Sequence, residues 1–368
     1  MVRYRVFHSM GESSMPKILI KNGKIWDGEN FFFSDLFIEG GKVVAIAEHL
    51  ERDADFTYDA DGQIVSAGLV DSHLHMRKMS SDGLGVGDWA CFPFGVTAAV
   101  DAWVEQDGAA ATAGSMMKTL GFIGTWISDN HLHTDWVEPL MKAWQERAVG
   151  LKVTFDAKDT DARDITPVRE GVAVAEKYGL RLMVHCNHSP VPMMEIVQAL
   201  RKGDILTHPY HGGENNAGED GFACLQYARE KGVILDSGFA GHIHTDFKVY
   251  SEALKKGCFP DTISTDLTLY SVFKRGGRYG MSAAMSLARA CGQTEESIFK
   301  AVTSTPAKVF GKTDEWGYIK EGRTADIAVL AYEDDRYDLT DFYGNRIAWE
   351  KGYRCKLTIA NGEVVFKD

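Results

Sequence analysis

No stretch of the 368 residues approaches the roughly 20 consecutive apolar positions that a membrane-spanning helix needs. Basic runs are missing too, and the formal net charge is −12, so nothing in the chain would neutralise phosphates. That argues against nucleic acid or an anionic membrane as partner. Met1 to Pro16 lack the apolar core of a secretory signal, and the expectation is a soluble cytoplasmic protein. Paired cysteine spacings are also absent. Cys91, Cys186, Cys224, Cys258, Cys291 and Cys355 are scattered, which argues against both a disulfide framework and a cysteine-based zinc site. A small-molecule substrate is the partner left, with assembly into a homo-oligomer open.

What is present begins with Leu69-Val70-Asp71-Ser72-His73-Leu74-His75. The apolar run Ile64 to Val70 reads as a buried strand whose end delivers two histidines. Side chains alternate along a strand, so His73 and His75 point the same way and can grip one metal ion. Chance alone also produces such pairs, and His131 and His133 repeat the spacing.

Before this strand, short apolar segments at Ile18 to Ile20, Lys24 to Trp26, Asp35 to Ile38 and Lys42 to Ile46 are split by Asn22-Gly23 and Gly40-Gly41, the pattern of an antiparallel unit. After it, strand-like and helix-like segments alternate, the signature of a parallel sheet covered by helices. Strands are expected at 95–101, 121–128, 148–155, 180–184, 205–207, 233–235 and 262–264. With the histidine strand these make eight, which fits an α/β fold of the TIM-like (β/α)8 barrel type. Thr166 is expected to N-cap a helix with Pro167 in its first turn and Gly179 at its end. From Lys312 short strands return at Asp326 to Leu330, Arg354 to Ala360 and Glu363 to Phe366. Residues 16–66 and 312–368 are therefore expected to form a small β-sandwich, with residues 67–311 as the barrel.

Barrel strands converge on one rim, so Lys152, His185, His208 and Asp266 should meet His73 and His75 there. Four imidazoles and a carboxylate suit zinc or a similar divalent ion. Singly, each has a plainer role: a hydrogen-bonded histidine, or a helix cap for Asp266. Lys152 is the informative position, because an ammonium has no lone pair and would repel a cation. Reaction with carbon dioxide would make it a carbamate able to bridge two divalent metal ions. A lysine paired with an acid, or snorkelling out of the rim, is the alternative.

The order His73-x-His75, Lys152, His185, His208, Asp266 resembles the amidohydrolase superfamily, in its binuclear branch with a carboxylated lysine. Gly68-Leu69-Val70-Asp71-Ser72-His73, Gly95-Val96-Thr97, Ser264-Thr265-Asp266, Thr305-Pro306-Ala307 and the Gly317 to Asp326 stretch carry the likeness over nearly the whole chain. The short length and the Gly-Leu-Lys strand are most similar to the dihydroorotase-like deacetylases. The resemblance implies a more buried metal on His73, His75, Lys152 and Asp266, and a more exposed one on Lys152, His185 and His208. It also implies that Arg77 binds a substrate carboxylate, unless it is simply solvated.

The same resemblance implies hydrolysis by a hydroxide held between two zinc ions, with Asp266 as both ligand and general acid/base. The expected substrate is a small acylated amino or hydroxy acid. Opening of a cyclic amide is the alternative. A mononuclear deaminase fits less well, because His185-Cys186-Asn187-His188 supplies no acid after the fifth strand. A non-catalytic assembly module would be expected to have lost ligands, and none is missing. Tyr210, His211, His242, His244, Tyr270 and Arg275 fall on expected rim loops and are candidates for lining the substrate pocket.

Overall fold

The structure, a computed structural model, describes residues 15–76, 83–85, 87–105, 112–273 and 279–368. Its first strands are β1 (Ile18–Trp26), β2 (Phe31–Glu39) and β3 (Lys42–Ala47), paired antiparallel as their turns require. Two further strands, β4 (Phe56–Asp59) and β5 (Ile64–Ala67), run parallel to β1.

The apolar run 64–70 is two strands, not one, because Gly68 breaks it. There the chain leaves the first sheet and enters the barrel as β6 (Leu69–Leu74). A Cβ on Gly68 would lie 2.0 Å from Thr97 Oγ1, so only glycine lets the two sheets approach this closely.

The barrel continues through β7 (Val96–Val104), β8 (Lys118–Ser128), β10 (Ala148–Thr154), β11 (Arg181–His185), β12 (Ile205–Thr207) and β13 (Ile234–Asp236), with β9 (His131–His133) an antiparallel spur on β8. Seven parallel strands thus follow in the order 6-7-8-10-11-12-13. The eighth expected strand is an irregular segment, Thr262 to Leu267, that closes the ring through single bridges from Thr262 to Asp236 and from Leu267 to Leu74. Asp266 N–H donates to the His73 carbonyl at 2.7 Å. Asp266 itself has φ 48°, a left-handed conformation that cannot extend a β ladder.

Helices cover the barrel where the apolar faces require it. The helix Thr166–Lys177 begins one residue earlier than expected: Thr166 is its first residue, and its N–H is taken by Asp164 Oδ1 at 2.8 Å. Gly179, at φ 65°, follows its end.

The last strands are β14 (Ile327–Thr340), β15 (Arg346–Ala360) and β16 (Glu363–Lys367). β14 pairs with β5, so both chain ends share one sheet. Its far edges curl together where Ala325 N–H donates to the Gly41 carbonyl, and Ile20, Ile38, Val43, Val65, Val329 and Leu357 fill a common core. β14 and β15 are 14 and 15 residues long, much longer than expected. Their outer halves form a hairpin whose tip, residues 341–345, reaches the barrel: Phe247 N–H donates to Asp341 Oδ2 at 2.7 Å and Phe342 N–H to the His242 carbonyl at 3.3 Å.

Candidate active site

At the end of β6, His73 is buried with Nδ1 2.9 Å from Thr207 Oγ1 and 3.3 Å from Asp236 Oδ2. Asp236 is a hub: it also accepts from Ser72, Thr207, Thr262 and Ser264 at 2.6 to 3.0 Å. Those contacts hold a proton on His73 Nδ1 and turn Nε2 toward Asp266. His73 Nε2 lies 3.3 Å from Asp266 Oδ1, and His75 Nε2 lies 3.0 Å from the same oxygen. The two histidines and the aspartate therefore meet.

At the end of β12, His208 takes φ 64°, a conformation costing about 1–3 kcal/mol in a non-glycine residue and concentrated at functional sites. Its Nδ1–H donates to the Gly238 carbonyl at 2.8 Å, which exposes the Nε2 lone pair; that atom is buried and has no hydrogen-bond partner. Gly238 must be glycine, since a Cβ would stand 2.2 Å from His208 Nδ1. Burial, helped by His244 and His185, holds His208 well below the usual histidine range and so neutral.

Two triads result. Ligand atoms of His73, His208 and Asp266 lie within 4.8 Å of one another, and so do those of His185, His208 and His244. Asp266 also reaches His244, with Oδ2 3.5 Å from Nε2. Burial pushes the Asp266 carboxyl up, but His73 and His75 outweigh it and keep it well below the usual range. Lys152, buried on β10, places Nζ 3.2 Å from His73 Nε2 and 3.3 Å from Met183 Sδ. Burial lowers its pKa to about 8 against the pull of Asp266 and Asp236.

All six expected metal residues thus share the barrel mouth, while His131 and His133 stand apart, His131 pairing with Glu170 at 2.7 Å. The lone pair on His208 Nε2, with the Asp266 carboxylate and His73 Nε2 beside it, fits a divalent ion. Of the expected pocket residues, Tyr210 is packed in the core with its hydroxyl donating to the Cys258 carbonyl at 3.1 Å, so it does not face the rim. His211 is wholly buried behind the rim, held by burial down to about 3. His242 is partly buried two residues before His244, Tyr270 is exposed, and Arg77 and Arg275 lie outside the described residues.

Three residues carry more than their sequence positions suggested. His244 joins His185 and His208 as a possible third donor; its signal was the repeated His-x-His spacing of His242 and His244. Asp156, just past β10, accepts from Lys158 N–H at 2.8 Å and lies 3.2 Å from His188 Nδ1 and 3.7 Å from His185 Nε2. Burial pushes Asp156 up, yet the contacts to His185, Lys158 and His188 hold it at about 2. No motif marked Asp156, because only the fold brings it beside His185 and His188.

Residues 166–365 match the amidohydrolase family. The chain belongs to that family. It is therefore a hydrolase acting on carbon–nitrogen bonds other than peptide bonds. This amidohydrolase is 28% identical to a deacetylase of Enterococcus faecalis over 94% of its own length and 98% of that protein's. A deacetylase of Agrobacterium fabrum is 26% identical over 90% of this chain and 86% of that one. Among solved structures, a dihydroorotase superposes with TM-score 0.82 at 24% identity, covering 95% of this chain and 98% of that one. An adenine deaminase superposes with TM-score 0.80 at 23% identity over 95% and 99%. At those identities the superpositions establish the shared fold. Among the described residues, no helix is long and apolar enough to cross a membrane.

Proposed function

We propose that this amidohydrolase removes the acyl group from a small, carboxylate-bearing N-acyl or O-acyl substrate; that its relatives are named deacetylases supports the deacylation. The single observation that carries the reading is the convergence of two overlapping donor triads on His208 at the barrel mouth. His73, His75, Lys152 and Asp266 would hold one divalent ion, and Lys152, His185 and His208 the other, zinc being the ion best matched to this donor set. When bound, such ions supply Lewis acidity that makes hydroxide available near neutral pH and polarises a carbonyl.

The chain's own residues account for the remaining steps. Asp266, kept ionised by its histidine neighbours, accepts the proton of the attacking water and returns it to the departing nitrogen or oxygen. His73 is held in one tautomer by Asp236 and cannot rotate away. Lys152, with its pKa near 8, is a free amine often enough to add carbon dioxide, and the resulting carbamate replaces a cation with an anion where the site needs one.

Lys152→Ala is expected to lose bound metal and activity together, with short carboxylic acids restoring part of both. Metal analysis by mass spectrometry and turnover of N-acetyl and N-formyl amino acids, O-acetyl hydroxy acids and cyclic imides test the reading. Full metal and full turnover in the variant would defeat the carbamate. Turnover of cyclic imides alone would make the enzyme a ring-opening hydrolase instead.

A further inference from the structure

Two glycines on β8 report which way the end of β7 turns. A Cβ on Gly121 would stand 2.1 Å from Val104 Cγ1, and one on Gly124 would stand 2.2 Å from Trp103 Cε2. Residues three apart on a strand face opposite sides of it. Val104 crowds the outer side of Gly121 together with Trp144, from the covering helix Val137–Trp144. Leu120 and Phe122 fill the inside of the barrel with Val70, Val100 and Met183. Gly124 continues that inward row, so the indole of Trp103 lies inside the barrel. Strict alternation after Val100 and Ala102 would have sent it outward. It turns in because the pairing of β7 with β8 slips between Asp101 and Val104, where Trp103 N–H donates to Asp101 Oδ1 at 3.0 Å.

The indole stands at the reacting end of the barrel. Gly124 is the register partner of Lys152 across the β8–β10 ladder, and such partners lie about 4.8 Å apart. Lys152 also turns inward, to His73 Nε2 at 3.2 Å. Trp103 therefore takes the space beside Lys152 that a side chain at 124 would have filled. Trp136 Nε1–H donates to the Gly124 carbonyl at 2.6 Å and fixes the backbone on which the indole rests. Trp126, two residues on and on the same face of β8, meets Trp103 with ring centroids 4.8 Å apart at 63°. Trp103 is only half-buried and Trp126 is 57% exposed, so the pair is not ordinary core. Aromatic surface left open at the rim of a polar site, and continuous with it, is surface for a ligand to cover.

We propose that Trp103 and Trp126 form an apolar wall on the Lys152 side of the mouth, which receives an aromatic or bulky aliphatic substituent of the acylated substrate. Both are specificity-determining residues, acting on the part of the substrate that does not react. The proposal rests on the deacylase reading and adds the substrate's side chain to it. An indole already fixed on Gly124 gives the substituent a pre-formed face, so little ordering is left to binding.

The test compares metal-loaded wild type, Trp126→Ala, Trp103→Leu and a control, Phe33→Ala, whose exposed ring belongs to β2 of the terminal sheet. Substrates are the N-acetyl derivatives of phenylalanine, leucine, alanine and arginine with the matching O-acetyl hydroxy acids, and calorimetric binding, circular dichroism and metal content are measured alongside. Wild type should favour the phenylalanine and leucine compounds over the alanine one by about tenfold in KM. Trp126→Ala and Trp103→Leu should reduce that preference to about twofold, while Phe33→Ala keeps it. Trp126 is exposed, so its variant decides the matter if Trp103→Leu does not fold. Equal use of the alanine compound, a preference for the arginine one, or an unchanged preference in Trp126→Ala overturns the wall and leaves deacylation standing. Binding of N-acetylphenylalanine without turnover of any compound, lost in Trp126→Ala, keeps the wall and removes deacylation. No turnover and no binding by wild type removes both.

Discussion

Asp71 shows how one buried side chain can set a pH response. It lies on the same strand as His73, accepts from Thr265 and His73 backbone N–H groups, and is pushed by burial up to about 7 despite them. Below that pH the folded state keeps a proton that the unfolded chain releases near its ordinary value of about 4. More protons bound in the folded state means that stability falls as pH rises from about 4 to about 7. Asp71→Asn keeps an acceptor for the two N–H groups and cannot ionise. It is expected to match wild type near pH 4 and to be more stable by about 1–3 kcal/mol at pH 7.5, read from urea unfolding at the two pH values. A variant less stable than wild type at pH 7.5 would show that the anion is needed. Asp156 has the opposite sign: held at about 2, it adds stability above the ordinary carboxylate range that is lost only in strong acid.

The long β14–β15 hairpin is the element that the sequence hid. The expected strands stop at Leu330 and resume at Arg354, yet Arg354 meets Asp335 at 2.8 Å, Tyr337 packs on Trp349 with ring centroids 5.5 Å apart, and Tyr353 N–H donates to Ser286 Oγ at 2.9 Å. Charge pairs and a helix beneath keep it extended where local propensity would not. Asp341→Ala removes the acceptor on which the tip depends. We expect a loss of about 1–3 kcal/mol in thermal or urea unfolding. Unchanged stability would mean that the tip holds its place without the Asp341 acceptor.

Over the whole molecule, the barrel and the terminal sheet are joined through Gly68, whose missing side chain lets β5 and β6 follow directly across the Thr97 wall. Gly68→Ala forces a methyl against that wall and should cost about 1–3 kcal/mol, measured as a lowered melting temperature with metal content per folded chain retained. Retained stability would mean that Thr97 moves aside freely. The alternation of apolar strands with helices, and the residues His73, His75, Lys152, His185, His208 and Asp266 at their ends, were legible from the sequence, because side-chain period and strand polarity are local properties that fix which ends share a rim. The irregular closing segment was not, since the left-handed turn at Asp266 follows from what its carboxylate and backbone meet across the ring. Nor could the sequence place His244 or Asp156 beside His185, send Tyr210 into the core, or bring Tyr343 beside Gly212. Those positions depend on contacts between segments tens to more than a hundred residues apart, and only the packed chain decides them.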